Sequence, residues 1–344
     1  MKLSVFAVAN SWEKNSSRHG LWLALICLAG VAVAFVAGAK AAHAQSNWPS
    51  KPVRMIIMVA AGGGGDNGGR LVAERLSSRL GQPIIVENKA GAAGNIGTEF
   101  VARSAPDGYT FLLTTNSHML NPLIYKHAGY DAEKDFTSVN LLCEGPMVLA
   151  TAVKFPYKSL KDVVDAVKSA PGSLAYGSAG IGSPVHVATE VLKQAAGIDF
   201  VHVPYKGAGP SIQDAIGGQV PLVMATLSAA RPHILSGRLR ALGITGAARW
   251  SSAPEIPTMA EQGYPVMQMV WLGIRAPRGT PAPIVERMNR EISAVLALPD
   301  VRERLLAQGF LPIGKSPAEF DAMLAADLEI NRNLVARLGL KEFE

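Results

Sequence analysis

Short aliphatic runs alternate along this chain with stretches whose apolar residues recur at helical spacing, the pattern of strands feeding helices in an α/β architecture. Pro52 to Ala60 (PVRMIIMVA) predicts a strand, Gly62 to Gly65 a tight turn, and Val72, Leu76 and Leu80 one face of a helix that Gly81 and Pro83 stop. Asp66 is placed as the N-cap of that helix. Pro83 to Glu87 is the next strand, Gly91 to Gly97 a glycine-spaced turn opening a further helix, and Thr110 to Thr115 a third strand.

The same order begins again near residue 150. Ser159 with Asp162 reads as a capping box, ahead of Leu160, Val163, Val164 and Val167 on one helix face, and Pro171-Gly172 ends it. Leu174 to Ser178 is a strand, and Ser183 followed by Pro184 a helix start, with the side chain as cap and proline at the first helical position. Strands follow at Phe200 to Tyr205, Val220 to Thr226 and Arg240 to Thr245. The apolar run Val266 to Ala276 suits a strand crossing back to the first unit, and helices follow at Pro283 to Leu296, Val301 to Gln308 and from Ser316-Pro317 to Leu338. The expected organisation is two lobes, residues 46–148 with 270–344, and 149–269.

The N-terminus is of different material. Lys2, Lys14 and Arg18 precede an uncharged apolar run from Leu21 to Gly38, and Ala42-His43-Ala44 forms a small-x-small triplet. This reads as a secretory signal over residues 1–44, cleaved after Ala44. A retained membrane anchor is the alternative, since the run is about as long as a membrane span; in either case the remainder is exported, in the expected cleaved form to the periplasm. Ile26 before Cys27 argues against lipoprotein processing.

The 344 residues hold 33 Lys and Arg against 27 Asp and Glu, and removing four basic residues and one acid with the signal leaves 29 against 26. That excess is too small and scattered for nucleic acid. Cys143 is the only cysteine beyond the signal, so no intramolecular disulfide is expected.

Gly63-x-Gly65-x-x-Gly68 follows a strand and Glu87 ends the next, which mimics a dinucleotide-binding fingerprint. Against it, Asp66 would set a carboxylate where a pyrophosphate must approach. The histidines beyond the signal (His118, His127, His186, His202 and His233) show no ligand-pair spacing, and no Gly-x-Ser-x-Gly elbow occurs. No metal, cofactor or catalytic residue is expected, although a hydrolase assembled from residues distant in sequence stays open.

A strand, glycine turn and helix start leaves backbone N–H groups at the positive end of a helix dipole, a carboxylate receptor without a charged side chain. One such turn lies in each half, Gly62 to Asp66 and Ser178 to Ser183. Each is equally readable as a tight connection.

The segments PSKPVRMIIMVAAGGGGD, GQPIIVENKAGAAGNIGTE, APDGYTFLLTT, NPLIYK, LAYGSAGIGSPVH, HVPYKGAGPSIQDAIGGQV, RPHILSGRLRALGIT and IPTMAEQGYP resemble, in the same order, the extracytoplasmic solute receptors of the tripartite tricarboxylate transporter group, the Bug family. The resemblance implies a two-lobed periplasmic binding protein of the type II, Venus-flytrap kind, with the ligand cleft between lobes. It also implies a monomer working with a membrane permease and a small membrane subunit, without ATP. Relatives typically hold carboxylates through main-chain amides, hydroxyls and water.

Carried over residue by residue, the first rim is Val59, Gly62, Gly63, Gly64, Gly65 and Asp66, with Thr115, Asn116 and Ser117. The second is Ser178, Ala179, Gly180, Ser183 and His186, then Tyr205 and Lys206, and Ala225 with Thr226. His186 is equally readable as bonded to its own loop, and Lys206 as a solvated charge. Many relatives have Pro-Phe at Met58-Val59, a hydroxyl at Gly65, Asn at Ile181 and Phe-Asp-Asn at Met224-Ala225-Thr226. Those departures point to an apolar cleft without a carboxylate to meet an ammonium group, and so to a dicarboxylate with an aliphatic or aromatic body over an amino acid. An exported hydrolase of carboxylated substrates, or a receptor serving a membrane kinase, are the competing readings.

Overall fold

The computed structural model describes residues 48–340, so the expected signal segment lies outside the described residues. Lys51 onwards forms one compact unit. Its strands are β1 (Val53–Ile57), β2 (Ile84–Asn88), β3 (Thr110–Thr114), β4 (Phe136–Ala152), β5 (Ala175–Ser178), β6 (Val201–Pro204), β7 (Leu222–Thr226), β8 (Leu239–Ile244), β9 (Met269–Pro277) and β10 (Leu311–Lys315). The helices are α1 (Gly64–Leu80), α2 (Asn95–Ala102), α3 (Ser117–Ile124), α4 (Leu160–Ser169), α5 (Pro184–Ala196), α6 (Ala208–Gly217), α7 (Leu227–Leu235), α8 (Ala282–Leu296), α9 (Pro299–Ala307) and α10 (Pro317–Leu338).

The strand order is β2-β1-β3-β9-β4-β7-β5-β6, with β8 and β10 also pairing with β4. β1 pairs in parallel with β2 and β3, and β5 in parallel with β6 and β7, so the same arrangement occurs twice. The antiparallel β9 and β4 join the two sets. Between Pro146 and Met147, β4 exchanges the partner β9 for β7, and its last residues pair with β8 as well. In each set the chain leaves the central strand in opposite directions, which creates a switch point between β1 and β3 and another between β5 and β7. Open α/β sheets bind ligands at the carboxyl ends of the strands beside such points.

Local chemistry explains the element starts. Ser159 and Asp162 form the expected capping box, Ser316 and Glu319 form another, and the Ser183 side chain caps α5 with Pro184 at its first position. One expectation is corrected. α1 is capped by Gly63 and begins at Gly64, which puts Asp66 in the third helical position. Its carboxylate folds back to accept the Gly62 N–H at 2.9 Å. α6 was hidden in the sequence by Gly209-Pro210, yet a proline in the first helical turn removes no hydrogen bond the helix would make.

The cores lie on both faces of the strands. On β7, Met224 joins the cluster containing Leu149, Tyr176 and Leu192, while Ala225 joins the one containing Val148, Ile212 and Leu227. Leu120 and Ile124 of α3 and Leu334 and Val335 of α10 share the core of Leu149 and Val185, and Phe320 and Leu324 of α10 pack instead with Leu141 and Trp271. α10 thus packs along the joining strands β4 and β9 and reaches the core of the second set.

Candidate functional site

Both switch points open on one cavity of about 290 Å³. It is lined from one side by the ends of β1 and β3 and from the other by the ends of β5, β6 and β7, and the first residues of α1, α3, α5 and α6 reach it. The first N–H groups of a helix have no intrahelical acceptor and mark its positive end, so the cavity attracts an anion.

The two main turns differ in what they leave free. In α1 the Gly64 and Gly65 amides are first-turn donors, and both residues line the cavity. In α5 the first residue is proline and has no N–H, and the turn consumes its own donors: Gly180 to Ser178 Oγ at 3.1 Å, Gly182 to His186 Nδ1 at 3.3 Å and Ser183 to the Gly180 carbonyl at 3.2 Å. The glycines at the start of α1 therefore supply more of the free backbone donors.

Asp66 stands behind the first turn, away from the cavity. Besides Gly62 it accepts from Arg70 and from the Asn88 amide, at 2.9 and 2.8 Å. Burial alone would raise its carboxyl, but these hydrogen bonds outweigh it and bring the group below its ordinary value. The Ser228 hydroxyl fills the space beside Gly64, and Leu272 and Phe310 that beside Gly68.

Of the first-rim residues named from sequence, Val59, Gly63, Gly64, Gly65, Thr115 and Ser117 line the cavity. Asn116 does not; its side chain accepts the Trp271 N–H at 3.0 Å and donates to the Met269 carbonyl at 3.2 Å, tying α3 to β9. Of the second rim, Ala179, Gly180, Ser183, Tyr205, Lys206 and Thr226 line it. Ala225 does not, nor does its neighbour Met224; both are fully packed in the cores on either side of β7.

Ser178 and His186 stand beneath the second turn, outside the lining. Ser178 Oγ lies 2.6 Å from His202 Nε2, and His186 and His202 stack with ring centres 4.3 Å apart, His202 stacking in turn on Tyr176. Burial is the main cause that lowers both imidazoles to about 4, so both are neutral at neutral pH. Burial, with the adjacent Asp214 carboxylate, pushes the Tyr205 phenol up to about 12; it donates to Asp214 at 2.8 Å.

Besides the Ala90–Gly94 loop and several small residues, the sequence reading missed the large wall side chains Tyr125, Val270, Leu272 and Phe310. They come from the end of α3, from β9 and from the loop before β10, and no local motif marks them. Tyr125 also bridges the two rims, its hydroxyl donating to the Ile181 carbonyl at 2.8 Å. A second close approach occurs at Gly207, where a β-carbon would lie 2.6 Å from that of Ala60. Lys206 is the one charged side chain in the lining, and Val59, Ile181, Val270, Leu272 and Phe310 make the wall mainly apolar.

The family model described as tripartite tricarboxylate transporter family receptor matches residues 69–340. The chain belongs to this receptor family. Protein BugT of Bordetella pertussis is 35% identical over 92% of this chain and 98% of its own length. Among solved structures, the periplasmic binding protein BugD is 33% identical with a TM-score of 0.83, covering 86% of this chain and 100% of that one. An R. palustris protein solved with adipate is 34% identical with a TM-score of 0.84, over the same shares. The fold is that of a two-lobed periplasmic binding protein, and the family consists of periplasmic solute receptors of tripartite transporters. Among the described residues no helix is long and apolar enough to cross a membrane.

Proposed function

We propose that this chain is an exported receptor that captures a small carboxylate, most suitably a dicarboxylate with an aliphatic or aromatic body, and delivers it to the membrane permease and small membrane subunit of a tripartite tricarboxylate transporter. The observation that carries this reading is the make-up of the cavity: free backbone donors at the start of α1, one cationic side chain, Lys206, and an apolar wall. A carboxylate accepts several such N–H bonds, while the wall favours a spacer that displaces poorly held water. The adipate bound by the R. palustris relative, four methylenes between two carboxylates, is a molecule of this kind. Met224 and Ala225 no longer enter the argument, which now rests on Val59, Ile181, Val270, Leu272 and Phe310.

In this reading Val59, Gly63, Gly64, Gly65, Ser117, Ala179, Gly180, Ser183, Tyr205 and Thr226 face the ligand, and Asp66, Asn116, Ser178, His186 and Ala225 shape the rims from behind. Residues 1–44 direct export and are removed, and the mature protein acts as a periplasmic monomer. Residues 46–148 with 270–344, and 149–269, move as two lobes about β4 and β9; the change of β4 partners at Met147 supports that division. The chain is a receptor and not a hydrolase. Among the described residues the Ser178–His202 pair is the nearest approach to a nucleophile with its base, and Ser178 is fully buried outside the cavity.

A thermal-shift screen of dicarboxylates, aromatic acids and amino acids tests the reading. A ligand at about 100 times its Kd adds about 2.7 kcal/mol to stability. Stabilisation by a dicarboxylate, recovered unaltered after long incubation, is the expected result. Stabilisation by glutamate or aspartate alone, or conversion of the compound, overturns it.

A further inference from the structure

A second cavity, of about 310 Å³, lies on the other side of Pro184, bounded by α3, α5, the Met267–Trp271 segment and α10. Its volume is at the lower end of small-molecule sites. Its polar groups differ from those of the first cavity. Asp327 reaches it from α10, held by the Trp271 indole N–H at 3.3 Å. Among the described residues no Lys, Arg or His forms an ion pair with Asp327, and its carboxyl is raised by burial, which outweighs the hydrogen bond from Trp271. Gln268 Oε1 is buried without a hydrogen-bond partner, and so is Nδ2 of Asn331, a residue 6% exposed that also lines the cavity. Met147, Met267, Met269, Leu334 and Trp271 supply the walls.

Asp327 is half-buried, and a carboxylate partly withdrawn from water without a cation is stabilised by an incoming one. The carboxylate and the free Gln268 carbonyl are both acceptors, and the soft methionine and indole walls suit a cation on an apolar stem. We infer that this second cavity is a binding site for a small organic cation, an alkylammonium or alkylguanidinium, whose head meets Asp327 and Gln268 and whose stem lies on Met267, Met269 and Trp271. Asn331 Nδ2 then donates to the carboxylate that the cation holds ionised. This site is opposite in charge preference to the first cavity and does not rest on the carboxylate reading.

The test is a titration of the mature protein with butylammonium at pH 8, with butanol as the neutral control, followed at the Trp271 indole N–H by NMR and by calorimetry. Saturable butylammonium binding that shifts the Trp271 signal, weakened about tenfold or more in Asp327→Asn and strengthened in Gln268→Glu, is expected. The inference is overturned by no saturable shift up to roughly 50 mM, by equal binding of butanol, or by equal affinity in Asp327→Asn. Should Asp327→Asn fail to fold, unchanged affinity in Gln268→Glu overturns it as well.

Discussion

The Ser228 hydroxyl occupies the space that a β-carbon on Gly64 would need, so the first turns of α1 and α7 meet with no room for a methyl group. Gly64 adopts helical backbone, and alanine there gains about 1 kcal/mol of helix propensity. Gly64→Ala is therefore expected to leave the fold intact while forcing the two rims apart. Affinity for the acid identified by screening should fall about tenfold or more, measured by calorimetric titration. An unchanged Kd would show that the contact has no part in closing the cavity.

Tyr125 bridges the rims through one hydrogen bond to the Ile181 carbonyl. Tyr125→Phe keeps the ring and removes the donor, leaving a buried carbonyl unpaired. The expected cost is about 1 kcal/mol in ligand binding, a five- to tenfold rise in Kd. If it instead lowers the melting temperature of the unliganded protein with Kd unaltered, the bond serves only the fold.

The stacked His186 and His202 predict a dependence on acidity. Their folded values of about 4 lie below the ordinary 6.5, so the unfolded chain binds more protons between those limits. Stability is then full above about pH 6.5 and lost as the pH falls towards 4, by roughly 3 kcal/mol for His186, the better buried of the two. Lys193, in salt bridges with Glu190 and Asp199, adds repulsion to a protonated imidazole. Fully buried His118, lowered by burial and by Arg275, acts in the same direction. Urea melts at successive pH values check this, and His186→Gln should flatten the slope. A slope unchanged in that variant would assign the loss to other groups.

The hydrophobic pattern was enough to locate most strand, turn and helix units, because caps and turns are local chemistry. Ser159 with Asp162, Ser183 with Pro184, and Ser316 with Glu319 act within four residues of themselves, and the structure has each where the pattern puts it. β4 was harder to read. Its seventeen residues are almost wholly buried on both faces, so no alternation separates strand from connection, and its partners lie far off in sequence.

Which way a side chain faces was decided by tertiary structure alone. Both faces of β7 are covered by helices, so composition cannot tell that Met224 and Ala225 enter two cores while Thr226, at the strand end, reaches the cavity. Asp66 was expected to cap α1, but the helix begins earlier because Gly62, Arg70 and Asn88 converge on its carboxylate, and Asn88 comes from a neighbouring strand. Residues 69–340 carry the family and the glycine turns mark where helix starts meet the cavity, since both are written in contiguous residues. The apolar wall of Tyr125, Val270, Leu272 and Phe310 exists only once β9 and β4 bring the two sets of strands together, because packing brings Tyr125 to residues that lie 145 or more positions further along the chain.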